Sequence, residues 1–191
     1  MKKVFIVHGF EGEPNGGWKP WLMSELNKLD IYACSLPMPN PSEPKVEEWV
    51  GLINYVVKNP NEEIFLVGHS LGVPTVLRYL ESLLNDIKIG GVVLVSGPYK
   101  KLETQNPNSK IRKIDNFLET DFNFKKIKVS CEKFVIVHGD NDDSVPFEHA
   151  LFLSKNLDAK ITTVHNGGHL SGHEGFNELP EVLEALKEMI K

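Results

Sequence analysis

A serine flanked by glycines carries the strongest chemical signal in this sequence. The apolar residues 64–67 lead into Gly68-His69-Ser70-Leu71-Gly72, and residues 73–84 then show a helix-like pattern. Strand, Gly-x-Ser-x-Gly and helix in this order predict a nucleophile elbow, a strained turn that presents the serine hydroxyl at the carboxyl edge of a sheet. Pro74 fits this prediction because the first turn of a helix loses no hydrogen bond to a proline. The alternative is a turn of small residues that joins a buried strand to a helix.

The surroundings of Ser70 predict an oxyanion hole. Side chains at positions 68 and 72 would collide with the neighbouring strand and helix, so glycine is required at both. The N–H group of Leu71, directly after the nucleophile, is the first predicted donor. The second donor usually lies in the loop after the first central strand. Here residues 3–7 form that strand and lead into His8-Gly9-Phe10, so we expect the N–H group of Phe10 to be the second donor.

A general base is predicted near the end of the chain. The β-favouring residues 159–164 lead into Asn166-Gly167-Gly168-His169. Two glycines before a histidine allow the loop to direct the imidazole toward Ser70. We therefore expect His169 to take the serine proton and return it to the leaving group. Its neighbours His165 and His173 are interpreted as solvated loop histidines.

A carboxylate that orients the histidine is predicted after the preceding strand. The apolar residues 133–137 end in a loop that contains Asp140, Asp142 and Asp143. A carboxylate just past the end of a strand can reach a histidine on the next loop and stabilise its imidazolium form. Spacing alone does not choose among the three aspartates.

Strand-like and helix-like segments alternate along the whole chain. The strand-like runs are residues 4–7, 31–35, 64–67, 92–96, 134–137 and 160–164. Apolar residues at helical spacing lie between them, at Trp18, Trp21, Leu22, Leu26 and Leu29 and again at Val46, Trp49, Val50, Ile53 and Val57. This alternation predicts an α/β fold with a mostly parallel six-stranded sheet and helices on both faces. In such sheets ligands bind at the carboxyl ends of the strands, where Phe10, Ser70, Asp142 and His169 all fall.

Several further segments match the pattern of one family. They are His8-Gly9-Phe10, Trp18-x-x-Trp21-Leu22, Leu36-Pro37-x-Pro39-x-Pro41, Trp49, Gly68-His69-Ser70-Leu71-Gly72, Arg78-Tyr79-Leu80, Asp142-x-x-Val145-Pro146 and Gly168-His169. With these segments the chain resembles, over nearly its whole length, the YdeN-like serine hydrolases of the α/β-hydrolase superfamily, the group that also contains retinoblastoma-binding protein 9. The resemblance implies Asp142 as the acid, because the family's aspartate stands three residues before Val-Pro. It also implies a compact α/β-hydrolase without a large cap domain and serine chemistry that needs no metal.

The chain departs from the retinoblastoma-binding relative in one motif. That relative is associated with a Leu-x-Cys-x-Glu motif that binds pocket proteins. Here Cys131-Glu132 is preceded by Val129, and Cys34 lacks both the leucine and the glutamate. A pocket-protein partner is therefore not implied.

Composition and length bound the remaining possibilities. The 191 residues are expected to form a single domain, 1–191, and a net charge of −5 argues against a nucleic-acid ligand. The two cysteines, Cys34 and Cys131, do not indicate a disulfide framework, and Cys34 is interpreted as a buried small residue. Neither a signal sequence nor a membrane span is recognised, so a cytoplasmic location without membrane association is expected. Neither the histidines at 165, 169 and 173 nor the aspartates at 140, 142 and 143 complete a metal motif, and we expect no metal or other cofactor.

The expected substrate is a small-molecule ester or another acyl compound. The irregular segment 99–123 occupies the place where hydrolases insert caps but is too short for a cap domain, which predicts an open, shallow site. Candidate pocket residues are His8, Gly9, Trp18 and His69. A thioesterase or peptidase on the same three residues, and an interaction scaffold with the hydrolase fold, are the alternatives. The sequence does not indicate an oligomeric state.

Overall fold

The computed structural model describes residues 1–106 and 108–191, and in it six strands form one parallel sheet of order β2-β1-β3-β4-β5-β6. The strands are β1 (Lys3–Val7), β2 (Tyr32–Leu36), β3 (Ile64–His69), β4 (Gly91–Val95), β5 (Phe134–Gly139) and β6 (Lys160–Val164). The helices are α1 (Lys19–Asn27), α2 (Val46–Val57), α3 (Gly72–Ser82), α4 (Phe124–Ser130), α5 (Glu148–Leu157) and α6 (Pro180–Ile190), with 3₁₀ turns at Lys110–Phe117 and Gly172–Glu174. The strand order and the helices on both faces confirm the predicted fold class.

Each face of the sheet packs against its own set of helices. Alternate residues of one strand point to opposite faces, so Val4 and Ile6 join the core beneath α1 and α6, whereas Phe5 and Val7 join the core beneath α2 and α3. The central strands β3, β4 and β5 are buried on both faces, which explains why their sequences are continuously apolar.

Two details of the predicted elements are wrong. Leu29 was expected on the buried face of the first helix, but α1 ends at Asn27 and Leu29 is 48% exposed. Asp30 follows with φ = +58°, a left-handed residue that turns the chain into β2. Cys34 was expected to be buried, but β2 is an edge strand and leaves this thiol only half-buried.

The segment between β4 and β5 adds only short helices to the fold. Its Lys110–Phe117 turn and α4 pack onto α3, where the Arg78 Nε group donates a hydrogen bond of 3.1 Å to the Phe117 carbonyl. Pro107, part of the predicted irregular segment 99–123, lies outside the described residues. In the described part of this segment no cap domain forms, as the resemblance implied. No helix of the described chain has the length and apolar character needed to cross a bilayer.

Strands β1 and β3 lie side by side but continue in opposite directions across the sheet. The chain passes from β1 to β2 on one side, and from β3 to β4 on the other. The loops that leave β1 and β3 therefore separate and open a crevice at the carboxyl edge. The residues after Val7 and those after His69 line this crevice.

Candidate active site

Ser70 occupies a strained turn between β3 and α3. Its φ angle is +54°, in the left-handed region that residues other than glycine seldom adopt. The Ser70 amide donates a hydrogen bond of 2.9 Å to the Val95 carbonyl of the neighbouring strand, which holds the turn in place. The strain is therefore maintained by the sheet, as the nucleophile-elbow pattern predicts.

The flanking glycines are present for the predicted steric reason. A Cβ atom at Gly68 would lie 2.5 Å from the Gly72 carbonyl oxygen, at the start of α3. A Cβ atom at Gly72 would lie 2.1 Å from the Val7 carbonyl oxygen, on the neighbouring strand β1. Both distances are shorter than any real contact, so a side chain at either position would displace the elbow.

Ser70, His169 and Asp142 are joined by two hydrogen bonds. The Ser70 Oγ and His169 Nε2 atoms are 2.9 Å apart, and His169 Nδ1 lies 2.8 Å from Asp142 Oδ2. Because the carboxylate accepts, the imidazole carries its proton on Nδ1, and its Nε2 lone pair then accepts from the serine hydroxyl. The arrangement can remove a proton from Ser70 and stabilise the resulting imidazolium.

Asp142 is the aspartate that reaches His169. It is 5% exposed, and its Oδ1 atom accepts 2.9 Å hydrogen bonds from the amides of Ser144 and Val145. Asp140 is exposed and instead binds the His165 ring and the Asn166 amide, so it holds the following loop. The sequence alone left these two and Asp143 as alternatives.

The charged form of Asp142 is stabilised despite its burial. Burial alone would raise the pKa of this carboxyl group, but the hydrogen bond and charge of His169, helped by the Val145 amide, outweigh it and hold the pKa below its ordinary value. His138, at the end of β5, places its Nε2 atom 3.4 Å from Asp142 Oδ2 and donates to the Val145 carbonyl at 2.8 Å. Burial lowers the pKa of His138, so this ring is neutral and adds a dipole behind the carboxylate.

The loop that carries His169 is fixed from three directions. Glu174 Oε1 accepts a 2.8 Å hydrogen bond from the His169 amide. His69 Nε2 donates to the His169 carbonyl at 3.0 Å, and Trp18 Nε1 donates to the Leu170 carbonyl, also at 3.0 Å. Burial lowers the pKa of His69 to about 3, so its ring remains a neutral donor. The imidazole is therefore held in place by the side chains of His69 at the end of β3, Trp18 directly before α1, and Glu174 of its own loop.

Of the two predicted oxyanion donors, Phe10 lines the crevice, and Leu71 follows Ser70 at the start of α3. In the described chain neither the Phe10 amide nor the Leu71 amide donates to another residue, so both are free to bind a ligand oxygen. Gly9 brings the Phe10 loop against the serine: a Cβ atom there would lie 2.9 Å from Ser70 Cβ. Only glycine therefore allows this approach.

A cavity of about 990 Å³ opens directly above Ser70. Among the predicted pocket residues, Gly9 and His69 line it. His8 and Trp18 do not: each is 1% exposed, with His8 packed edge-on against Trp49 and Trp18 turned toward the Leu170 carbonyl. His8 is enclosed by Trp49 of α2 on one face of the sheet, and Trp18 joins the core beneath α1 on the other, so packing removes both from the cavity wall. The exposed ring of His173 lies on the cavity rim.

Comparison with known proteins agrees with this geometry. The sequence model of the family described as "Serine hydrolase" matches residues 4–188. The chain belongs to the serine hydrolase family. Its parallel sheet with helices on both faces is the α/β-hydrolase fold. The crystal structure of the ydeN gene product from Bacillus subtilis superimposes on it with a TM-score of 0.92 and 34% identity, and the match covers 99% of this chain and 98% of that one.

The similarity extends through the sequences of this serine hydrolase family. The protein YdeN of Bacillus subtilis (strain 168) is 35% identical over 185 residues, which cover 97% of this chain and 94% of that protein. The serine hydrolase RBBP9 of Rattus norvegicus is 24% identical over 187 residues, or 96% of this chain and 95% of that one. The resemblance seen in the short motifs is therefore confirmed over the whole fold.

Sequence reasoning missed three residues of this site. Glu174 reaches back from the turn after His169, Lys19 lines the cavity from α1, and His138 lies behind Asp142. The Ser171-x-x-Glu174 spacing is that of a capping box and could have identified Glu174. Within residues 1–106 and 108–191, no three His, Cys, Asp or Glu side chains cluster as a metal site would require.

Proposed function

We propose that this serine hydrolase cleaves small carboxylic esters, with Ser70 as nucleophile, His169 as general base and Asp142 as the orienting acid. The observation that carries the proposal is the pair of hydrogen bonds, 2.9 and 2.8 Å, that joins these three side chains at a serine with φ = +54°. Positive φ at the serine, a free imidazole lone pair and a buried carboxylate together favour nucleophilic catalysis over a packing role.

The reaction follows from this geometry. Ser70 Oγ attacks the ester carbonyl while His169 Nε2 takes its proton, and the amides of Phe10 and Leu71 bind the oxygen that becomes negative. The carbon–oxygen bond to the alcohol then breaks, His169 returns the proton to the alcohol, and an acyl group remains on Ser70. A water molecule, deprotonated by His169, then attacks this acyl-enzyme. The bond between the acyl carbon and Ser70 Oγ breaks, His169 returns the proton to Ser70, and the acid is released. Loss of one oxyanion donor would cost about 3 kcal/mol of transition-state stabilisation.

The shape of the site supports small or exposed acyl groups. The cavity opens to solvent, and its wall is formed largely by glycines and polar side chains of the Phe10 and His169 loops. A long apolar acyl chain would bury little of its surface against this wall and would therefore gain little binding free energy from its length. A short or polar acyl group does not depend on such burial.

Thioesters and amides would form the same acyl-enzyme, so a matched substrate set tests the class. The kcat/KM values for 4-nitrophenyl butyrate, butyryl-coenzyme A and butyryl 4-nitroanilide would be compared for wild type and Ser70→Ala. We expect the oxygen ester to be preferred and its hydrolysis to be lost in Ser70→Ala. A higher kcat/KM for the thioester or the anilide would contradict the ester class. A folded wild-type protein that cleaves none of the three would favour the scaffold alternative.

A further inference from the structure

Lys19 is a buried lysine in the wall of the cavity above Ser70. The residue is only 6% exposed, and it lines the cavity together with His69 and Ser70. Its Nζ atom lies 5.6 Å from the centre of the Trp18 ring. The ammonium group forms no hydrogen bond or ion pair with any other residue that the structure describes. Apart from the Trp18 ring, this cation therefore has no partner among the described residues.

The position is electrostatically unfavourable for a lysine in the empty protein. Burial lowers the pKa of Lys19, because removing an ammonium group from water disfavours its charged form. Lys19 is also the first residue of α1, where the helix dipole contributes further positive potential, and the first turn holds no acidic residue. An anion in the cavity would offset both effects.

The carboxylates around the cavity do not fill this role. Glu11 forms an ion pair with Lys110 at 2.9 Å, and Glu174 is occupied by the amides of the His169 loop. Glu13 is exposed, and its field raises the pKa of Lys19, but it lies beyond ion-pair distance. The field of Lys19 instead reaches the ring of His69, whose centre lies 5.3 Å from that of His169. The charge of Lys19 therefore acts in the same cavity as Ser70 and His169.

We propose that Lys19 binds a carboxylate of the substrate, so that the site prefers esters carrying an anionic group near the scissile bond over neutral esters of similar size. This inference rests on the proposed function and gives its substrate class. A charge-assisted hydrogen bond with a partly desolvated ammonium group is expected to change kcat/KM about 10-fold or more.

Two ester pairs test the preference. Mono-4-nitrophenyl glutarate is compared with 4-nitrophenyl valerate for an anion on the acyl side, and 3-carboxyphenyl butyrate with phenyl butyrate for an anion on the alcohol side. For each pair, the ratio of kcat/KM for the anionic ester to that for the neutral ester is measured in wild type and divided by the same ratio in Lys19→Met. Differences in the intrinsic reactivity of the two esters cancel in this quotient. We expect this quotient to be about 10 or more for at least one pair. Lys19→Arg, which retains the charge, should keep most of the preference.

A lysine away from the cavity provides the matched control. Lys155, on α5, is exposed and lies outside the cavity wall, so Lys155→Met should show the wild-type ratios. A quotient within about twofold of 1 for both pairs would overturn the proposal, because it would mean that Lys19 contributes less than about 0.5 kcal/mol to the preference for the anionic ester. The proposal would also be overturned if Lys155→Met lost as much of the preference for anionic esters as Lys19→Met, since the preference would then depend only on the net charge of the protein.

Binding measured without turnover separates this proposal from the proposed function. Calorimetry on Ser70→Ala, with mono-4-nitrophenyl glutarate and 4-nitrophenyl valerate, reports the anion preference directly. Tighter binding of the anionic ester that is lost in Ser70→Ala/Lys19→Met supports the anion site. If folded Ser70→Ala still hydrolyses these esters, the proposed nucleophile is wrong, and the anion preference is then decided by the kcat/KM ratios above. If Ser70→Ala is inactive and binds both esters equally, the function stands and the role of Lys19 is refuted. Should the double variant not fold, equal binding in Ser70→Ala alone refutes it.

Discussion

Replacing Glu174 with alanine should slow catalysis without touching any of the three hydrogen-bonded residues Ser70, His169 and Asp142. Glu174 accepts 2.8 Å and 2.9 Å hydrogen bonds from the amides of His169 and Ser171, and a third of 2.8 Å from the Ser171 hydroxyl. The carboxylate is exposed, so water replaces part of each interaction, and we expect a loss of about 1–2 kcal/mol in the free energy of unfolding. The larger effect is on position: a displacement of the imidazole by about 1 Å would lower kcat roughly 10- to 100-fold.

The assay measures kcat and KM for 4-nitrophenyl butyrate, with stability followed by urea unfolding. Glu174→Gln should fall between wild type and Glu174→Ala, since its amide oxygen can replace only one carboxylate oxygen, either Oε1, which accepts from His169, or Oε2, which accepts from Ser171. Glu184→Ala is the matched control, because Glu184 lies on α6 and forms only an exposed ion pair with Lys187. If Glu174→Ala is folded and keeps kcat within about twofold of wild type, the loop does not depend on Glu174 and the reasoning is refuted.

Two further predictions concern an acid and a buried histidine. Asp142→Asn should lower kcat by about 10²- to 10⁴-fold, because the Nδ1–H group of His169 loses the carboxylate that accepts its hydrogen bond. Asp140→Asn should keep kcat within about threefold of wild type. If Asp140→Asn lowers kcat more than Asp142→Asn does, the acid is wrongly assigned. Burial lowers the pKa of His149 from 6.5 to about 4, so as the pH falls through this interval the unfolded chain takes up a proton that the folded protein does not. Its contribution to stability, complete above pH 6.5, is therefore lost toward pH 4, with a slope of up to about 1.4 kcal/mol per pH unit. When the free energy of unfolding is measured with urea from pH 7 to pH 4, it should fall less steeply with decreasing pH for His149→Asn than for wild type. Equal pH dependence of the two proteins would contradict the lowered pKa of His149.

The elbow and the sheet were predictable from the sequence because their causes are local. Gly68 is required by a backbone contact within one turn of Ser70 and Gly72 by the backbone of the adjacent strand β1, and both follow from the Gly-x-Ser-x-Gly pattern. The apolar runs of the central strands follow from burial on both faces of the sheet. His169 was predictable from the loop that follows β6. The choice of Asp142 needed the family resemblance, since three neighbouring aspartates have the same chemistry.

The cavity wall was harder to predict because it depends on contacts between distant segments. Trp18 and Leu170 are 152 residues apart, and their hydrogen bond turns the indole away from the cavity. The adjacent Lys19 faces the cavity instead, although its sequence context shows only a polar residue at the start of a helix. Packing therefore encloses Trp18, which was expected in the cavity wall, and places Lys19 there instead. The single domain over residues 1–191, the cytoplasmic location and the independence of cofactors stay predictions.

Labelling with a fluorophosphonate probe tests the central claim, that Ser70 is an activated nucleophile, most directly. Wild-type protein would be treated with the probe and digested, and the modified residue identified by mass spectrometry, with Ser70→Ala and the exposed-lysine variant Lys155→Met as controls. The account predicts one stoichiometric adduct on Ser70 in wild type and in Lys155→Met, and none in folded Ser70→Ala. An unlabelled Ser70 in folded wild-type protein, or an adduct on another residue that persists in Ser70→Ala, would contradict it.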